Sequence, residues 1–390
     1  MLSYLAQFQH LWGPLRLLDY GTTRAVAALL TAFVLMLVVM PGWIRWLRLR
    51  KFGEAGAKGQ GAAVVDAARE LKKGTPTMGG AAIVGCIAVA ALLWCDPQAP
   101  RTWLLLFGLG GFAVLGFLDD RTKIFKGSKG TPLFVKLGIQ FGTAIACGVG
   151  LWWIESSYAA HLNPAGAATY TKVLDGVTWQ ISLGTHQVAI PLLGLEHGLY
   201  LGLFGVLWSV FVTVACANGV NFTDGMDGLA AGTMLIAALA FAVIAYLVGR
   251  VDAAQYLKVF YVPGGDDVAI FSCAVAGACL GFLWFNCAPA QVFMGDTGSQ
   301  ALGGVLGLIA LNCKQEFLIC LVGLIFVLEA ASVAIQIFTV RCCGGRRLFL
   351  CAPVHHHFQM KGWSETTIVV RFWIIAALAA LLAIASLKLH

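Results

Sequence analysis

Charge is scarce in this sequence. Only 12% of its 390 residues are Asp, Glu, Lys or Arg, 59% are hydrophobic, and the mean hydropathy is +0.82. That balance excludes an ordinary soluble domain of this length. Other absences narrow the chemistry. There is no glycine-rich dinucleotide fingerprint, no P-loop and no repeat of fixed period. The twelve cysteines lack metal-binding spacing: Cys342 and Cys343 are adjacent, and Cys351 stands four before His355, neither of which matches a structural zinc module. Most lie in apolar runs or near basic loops and read as reduced, small apolar residues. The apolar runs are continuous and do not alternate, which excludes a transmembrane barrel.

What is present is a series of apolar runs near the roughly 20 residues that cross a bilayer as a helix. Spans are expected at about 22 to 42, 77 to 95, 102 to 118, 133 to 154, 199 to 217, 229 to 248, 268 to 285, 299 to 312, 317 to 340 and 368 to 387. The eighth is short and glycine-rich. The expected fold is therefore all-α, a polytopic membrane protein of about ten transmembrane helices, in one domain over residues 1–390. Before the first span, Tyr4 to Leu18 mixes Phe8, Leu11, Trp12 and Leu15 with polar residues and reads as an interfacial helix. No small-residue cleavage site follows it, so it is not read as a signal peptide. The loop from about Glu155 to Leu195 contains the alternation Val177-Thr178-Trp179-Gln180-Ile181, which suits a small hairpin.

Orientation follows from the cations. One set of loops carries Arg45, Arg48, Arg50, Lys51, Lys58, Arg69, Lys72, Lys73, Arg121, Lys123, Lys126, Lys129, Arg341, Arg346, Arg347 and Lys361. The other carries only Arg16, Arg101, Lys172, Arg250, Lys258, Lys314 and Lys388. By the positive-inside rule the first set is cytoplasmic and both termini are periplasmic. The formal net charge of +7 then sits mainly on the face that meets anionic lipid headgroups and anionic substrates.

On that same face lie the polar stretches. Asn218 to Gly228, between the fifth and sixth runs, holds Asn221, Asp224 and Asp227 three residues apart, so neighbours in the series share a face if the segment coils. The third run ends in Asp119-Asp120, the seventh and eighth are joined through Asn286 and Phe293 to Asp296, and the ninth leads to His355-His356-His357. A charged side chain at bilayer depth costs about 2.5 to 3.5 kcal/mol even on lenient scales, so such groups at a membrane lip point to function. A polar turn between helices is the plain alternative, but independent turns would not all gather on one side. Clustered carboxylates resist ionising together unless a hard cation is present. Oxygen ligands without cysteine favour magnesium or manganese over zinc, and magnesium uses one or two carboxylates and completes its shell with water and phosphate. The chemistry indicated is phosphoryl transfer, with Lys72, Lys73, Lys123 and Lys136 as candidate phosphate counter-ions. Each lysine also has a plain reading as a solvated or headgroup-facing charge, except Lys136, which is placed just inside the fourth span. Three consecutive histidines cannot face one way on a helix; His355 and His357 share a face only in an extended segment.

Gly74-Thr75-Pro76-Thr77-Met78-Gly79-Gly80, Phe117-Leu118-Asp119-Asp120, Asn218 through Gly228, Phe293 through Ser299, and Pro353-Val354-His355-His356-His357-Phe358 with Lys361-Gly362-Trp363 occur in this order across nearly the whole chain. Together they resemble the bacterial phospho-N-acetylmuramoyl-pentapeptide transferases. The aspartate motifs are shared with the wider superfamily of polyprenyl-phosphate N-acetylhexosamine-1-phosphate transferases. The triple histidine with Lys-Gly-Trp is similar to the muramoyl-pentapeptide branch. Two regions depart from the pattern, the Gly- and Ala-rich loop from Gly53 to Ala68 and the long loop after the fourth span.

The resemblance implies a homodimeric, magnesium-dependent enzyme of the bacterial inner membrane. It would move phospho-N-acetylmuramoyl-pentapeptide from UDP-MurNAc-pentapeptide to undecaprenyl phosphate, giving lipid I and UMP at the cytoplasmic face. No nucleic-acid partner is expected. It assigns magnesium to Asp296, places Asp119 and Asp120 beside the lipid phosphate, and counts His355 with these catalytic positions. Asn221, Gly225 and Asp227 are expected to hold the uridine or its phosphates, with Phe293 stacking on uracil and Asn286 nearby. Asn218, Asp224, Lys72, Thr77, Lys136, Gln336, His356 and His357 complete the expected substrate contacts. Rival readings are a sibling that transfers GlcNAc-1-phosphate, a secondary transporter and a lipid-binding scaffold. A transporter would place its acidic residues near the midplane and often in paired repeats.

Overall fold

A computed structural model describes the chain apart from residues 1, 11, 51–71, 73, 127–129, 163–169, 175–176, 191–192, 194–196 and 389–390. The Gly- and Ala-rich loop and Lys73, Lys51, Lys58, Arg69 and Lys129 fall outside the described residues. Each expected span corresponds to a helix: α1 (Gly21–Leu49), α2 (Gly80–Trp94), α3 (Pro100–Lys126), α4 (Leu133–Leu162), α5 (Phe204–Thr223), α6 (Leu229–Val248), α8 (Gly265–Asn286), α9 (Gly295–Asn312), α11 (Leu324–Cys342) and α13 (Glu365–Ser386). Among the described residues three shorter helices intervene: α7 (Val251–Leu257), α10 (Ile319–Val322) and α12 (Val354–Met360). Eight of the ten are long and apolar enough to cross a membrane; α2 and α9 are the two outside that group.

α1 shows how the pattern sets the packing. Ala28, Ala32, Met36 and Met40, four apart, are fully buried, while Val26, Leu30, Val34 and Val38 are more than half exposed. A stripe at helical spacing faces the protein, and the opposite apolar stripe has the composition of a lipid-facing surface. The buried stripe packs on α8, which in turn packs on α6. The glycine-rich eighth run departs from this pattern because it never needs a lipid face. As α9 it stands inside the bundle against α3, α5 and α2, and every residue from Thr297 to Asn312 is buried. Small residues let neighbouring backbones close on it.

The first segment differs from the expected single interfacial helix: it forms two 3-10 helices, Leu2–Phe8 and Gly13–Asp19, the second opening after Trp12 with Pro14 in its first turn. The expected hairpin is present, with β1 (Tyr170–Leu174) antiparallel to β2 (Val177–Ile181) and Val173 opposite Thr178. A second small pair joins β3 (Gln187–Val188) to β4 (Leu199–Tyr200). Alternation of the helices brings the C-terminal ends of α3, α5 and α8 to the same end of the bundle as the N-terminal ends of α6 and α9. The polar motifs sit at those ends.

Candidate active site

Asp119 and Asp120 occupy the last turns of α3 and face different neighbours. Asp120 is buried, and both its oxygens are engaged by the first turn of α9: Oδ1 accepts from Asp296 N–H at 2.9 Å, and Oδ2 accepts from Thr297 N–H at 2.9 Å and Thr297 Oγ1–H at 2.6 Å. A helix leaves its first N–H groups unsatisfied, and here a carboxylate from another helix caps them. This fixes Asp296 relative to α3. The contact is tight: a Cβ on Gly116 would stand 2.1 Å from Asp296 O. Gly295 turns the chain into α9 with φ of 74°, and its missing Cβ leaves room for Asp120 and for Thr77 Oγ1.

Asp119 and Asp296 are bridged by a cation from the protein itself. Lys123 Nζ lies 2.9 Å from Asp119 Oδ2 and 2.6 Å from Asp296 Oδ2. Lys136, from the first turn of α4, reaches within 3.5 Å of Asp119 Oδ2 and 3.9 Å of Asp296 Oδ2. Asp119 Oδ1 accepts from Thr131 N–H at 2.9 Å, and Asn221 donates to Asp296 Oδ1 at 3.0 Å and to Ser299 Oγ at 2.8 Å. Two carboxylate oxygens thus converge on one point, and that point attracts positive charge. Among the described residues no group of three His, Cys, Asp or Glu side chains is placed to hold a metal. Paired oxygens without a third protein ligand fit magnesium, which takes much of its shell from water and phosphate.

A second cluster surrounds Lys72. Its Nζ lies 2.6 Å from Asp227 Oδ1 and 2.5 Å from Glu365 Oε1. Glu365 Oε1 also accepts from Asp227 N–H at 3.0 Å, and Asp227 Oδ2 accepts from Ala290 N–H at 3.1 Å. Asn286 Oδ1 accepts from Gly228 N–H, and its amide donates to Val292 O. These bonds tie the turn after α5 to the 287–294 loop. That loop is held in turn by Thr75 to Gly80: Phe293 N–H donates to Pro76 O, and Gly79 N–H donates to Phe293 O, both at 2.8 Å. Glu365 owes its place to Ser364, which caps α13 by accepting from Thr367 N–H.

The histidine segment is helical, as α12, with the His355 and His356 ring centroids 4.2 Å apart; the extended arrangement in which His355 and His357 share a face does not form. His355 is buried, with Nδ1 3.1 Å from Glu329 Oε2, and its Nε2 lies where a Cβ on Gly225 would be, 2.4 Å away. His356 Nδ1 lies 3.0 Å from Gln359 Oε1. His357 accepts from Leu350 N–H at Nδ1, while burial and the neighbouring Lys361 cation hold its imidazole below the usual range. The ring is thereby kept neutral, with Nδ1 as its acceptor.

Of the expected site residues, Asp119, Asp120, Asp296, Lys136, Asn221 and Thr77 come together in the first cluster, and Lys72, Asp227 and Asn286 in the second. Gly225 meets His355. Others are placed elsewhere. Asn218 donates back to Val214 O within α5, Gln336 uses both ends of its amide on the Phe349 backbone, and Asp224 sits at the C-cap of α5. Phe293 is fixed by its backbone and is half-buried. Two carboxylates escaped the sequence reading. Glu329 stood in an apolar run, where a lone charge is itself a signal; Glu365 stood at the edge of the last run and carried none.

Residues 102–314 match glycosyl transferase family 4. The chain is 41% identical to the phospho-N-acetylmuramoyl-pentapeptide-transferase of Desulfotalea psychrophila, over 98% of this chain and 100% of that protein. It is 39% identical to the same-named protein of Desulfovibrio desulfuricans, over 100% and 99% of the two chains, and 41% identical to that of a Ruegeria species, over 96% of each. Identity of that extent over nearly the full length of both chains shows that the chain belongs to the phospho-N-acetylmuramoyl-pentapeptide transferase family.

Proposed function

We propose that this protein transfers phospho-N-acetylmuramoyl-pentapeptide from UDP-MurNAc-pentapeptide to undecaprenyl phosphate, forming lipid I and UMP in peptidoglycan synthesis. It acts as a single 1–390 domain, as a homodimer in the inner membrane, with its site on the cytoplasmic face. In a chain of this family, the observation that carries the reading is the Asp119–Lys123–Asp296 bridge, built where the ends of α3, α5 and α9 meet. A water-soluble donor and a lipid acceptor can meet only at such a membrane edge.

Asp296, with Asp119 Oδ2 facing the same point, would hold magnesium, which when bound would supply charge neutralisation at the diphosphate. The remaining work falls to this chain. Lys123 and Lys136 are the cations closest to the paired carboxylates, and they exchange those partners for phosphate oxygens when substrate arrives. Lys72 does the same from the Asp227–Glu365 pair on the nucleotide side. The lipid phosphate has a second pKa of about 6 and is mostly dianionic at neutral pH, so it needs little help from a base. Its oxygen attacks the sugar-bearing phosphorus, the bond to the bridging oxygen breaks, and UMP leaves. Asp119 orients the attacking group, and Asp120 holds Asp296 in register. A phosphorylated aspartate trapped without lipid acceptor would overturn direct attack.

The test of the whole reading is release of UMP by the purified protein in detergent. UDP-MurNAc-pentapeptide with undecaprenyl phosphate is expected to yield UMP, chelation by EDTA to abolish it, and added magnesium to restore it. UMP released faster from UDP-GlcNAc would make the protein the sibling transferase. Absence of UMP from both donors would leave the transporter and scaffold readings standing.

A further inference from the structure

Glu329 belongs to none of the clusters that hold phosphate or nucleotide, yet it is the most enclosed carboxylate in the described chain. It sits within α11 at 0% exposure, and the imidazole of His355 beside it is at 1%. The Nδ1 to Oε2 separation is 3.1 Å. Apart from that ion-pair contact, neither oxygen of Glu329 and neither ring nitrogen of His355 has a hydrogen-bond partner among the described residues. A buried carboxylate is costly unless it is paired, and its pairing here is to a single side chain. The other side of the ring meets Gly225, where a Cβ would lie 2.4 Å from Nε2 and 2.8 Å from Cε1. Gly225 is part of the turn that follows α5, whose last turn carries Asn221 to Asp296, and the same turn carries Asp227 to Lys72. The histidine is therefore held between a fixed carboxylate and the backbone of the turn that links the two clusters.

We infer that Glu329 is a positioning residue for the transfer reaction: its carboxylate, facing Nδ1 of His355 at 3.1 Å, favours the form of the ring that is protonated there and keeps Nε2 aimed at the 223–228 turn. It touches no substrate and acts only through the imidazole. A histidine with one nitrogen fixed by a carboxylate has its other nitrogen set in both direction and protonation, as buried histidine–carboxylate pairs are in other sites. The inference rests on the transferase reading above, because its readout is turnover.

The test is a double-mutant cycle in the full-length protein in detergent, with Glu329→Gln and Glu329→Leu each made alone and with His355→Asn. UMP release is followed at varied concentrations of each substrate, and folding is checked by thermal unfolding. Glu329→Leu is expected to lower kcat by about tenfold to a hundredfold, with KM for the UDP-linked donor within about twofold, and Glu329→Gln to retain more because its amide still presents an oxygen to Nδ1. In the His355→Asn background both changes are expected to alter kcat by less than about twofold, since the interaction they remove is already gone. Equal losses in the two backgrounds, or a loss confined to KM, would overturn the inference. Should Glu329→Leu unfold, the isosteric Gln cycle decides alone. A wild-type protein that releases no UMP refutes the transferase reading itself, which keeps the two failures apart.

Discussion

Asp120 accepts three hydrogen bonds from the start of α9, whereas Asp296, one position along from the glycine that opens that helix, directs its oxygens at Lys123 and Asn221. The two aspartates thus differ in what their loss should do. In Asp120→Asn, one oxygen becomes an amide that must face an N–H or hydroxyl donor. A charge-assisted bond contributes about 1.5 to 3 kcal/mol, so this variant is expected to unfold at lower temperature and to lose turnover together with stability. Asp296→Asn removes one of two close carboxylates and leaves the cap intact. Its unfolding temperature should stay level or rise, while UMP release falls by about a hundredfold or more, corresponding to several kcal/mol of charge stabilisation. Thermal unfolding in detergent beside a turnover assay separates the cases. Equal destabilisation by the two substitutions would sink the distinction between a residue that builds the site and one that works in it.

Helices were the legible scale. Ten apolar runs became ten helices in the expected places, because run length and the period of the buried stripe are written directly in sequence, as α1 shows with Ala28, Ala32, Met36 and Met40. Which residues would join across helices was legible only in part. Asp119, Asp296 and Asn221 could be grouped by the side of the membrane they share, but that Asp120 faces α9 and Asp119 faces Lys123 depends on how α3 is rotated in the bundle. Glu365 reached Lys72 from nearly 300 positions away, a separation of 293, with no local pattern to announce it. The α3–α9 contact that sets this arrangement rests on Gly116, since an added Cβ would meet backbone atoms of Asp296 and Thr297, which cannot rotate aside. Gly116→Ala should therefore part the two helices. Overpacking of this kind costs about 1 to 3 kcal/mol. Misplacement by about 1 Å can cost a hundredfold in rate, so turnover should fall by more than stability alone explains. Gly110→Ala, on the same helix with nothing within 4 Å of its added Cβ, is the matched control and should be neutral or slightly stabilising. A Gly116→Ala protein with wild-type melting and turnover would mean that the α3–α9 approach does not set the site.

At the scale of the molecule, the fold adds to the bias of charge between the two ends. Of the cations expected outside, Lys314 pairs with Glu155 at 2.7 Å, Arg250 pairs with Asp252 at 3.0 Å, and Arg101 is buried on the neutral acceptors Asn312 Oδ1 and the Pro263 carbonyl, while Arg16, Lys258 and Lys388 are exposed. At the other end, Arg45, Arg48, Arg341, Arg346 and Arg347 are exposed, beside the helix ends that build the site. By the positive-inside rule the face with exposed cations is expected in the cytoplasm, and this expectation has a direct test in residues the protein already carries. Cys342 and Cys343 are exposed at the end of α11, among those arginines. In a background where Cys287, Cys320 and Cys351 are Ala, a membrane-impermeant charged maleimide is expected to leave intact spheroplasts unlabelled and to modify inverted membrane vesicles, read by mass of the purified protein. Permeabilised spheroplasts control for access and should label as the vesicles do. Labelling from outside the intact cell would reverse the orientation. It would also separate the site from the compartment in which a nucleotide-linked donor is made, so the proposed transfer could not run in the cell even if purified protein released UMP.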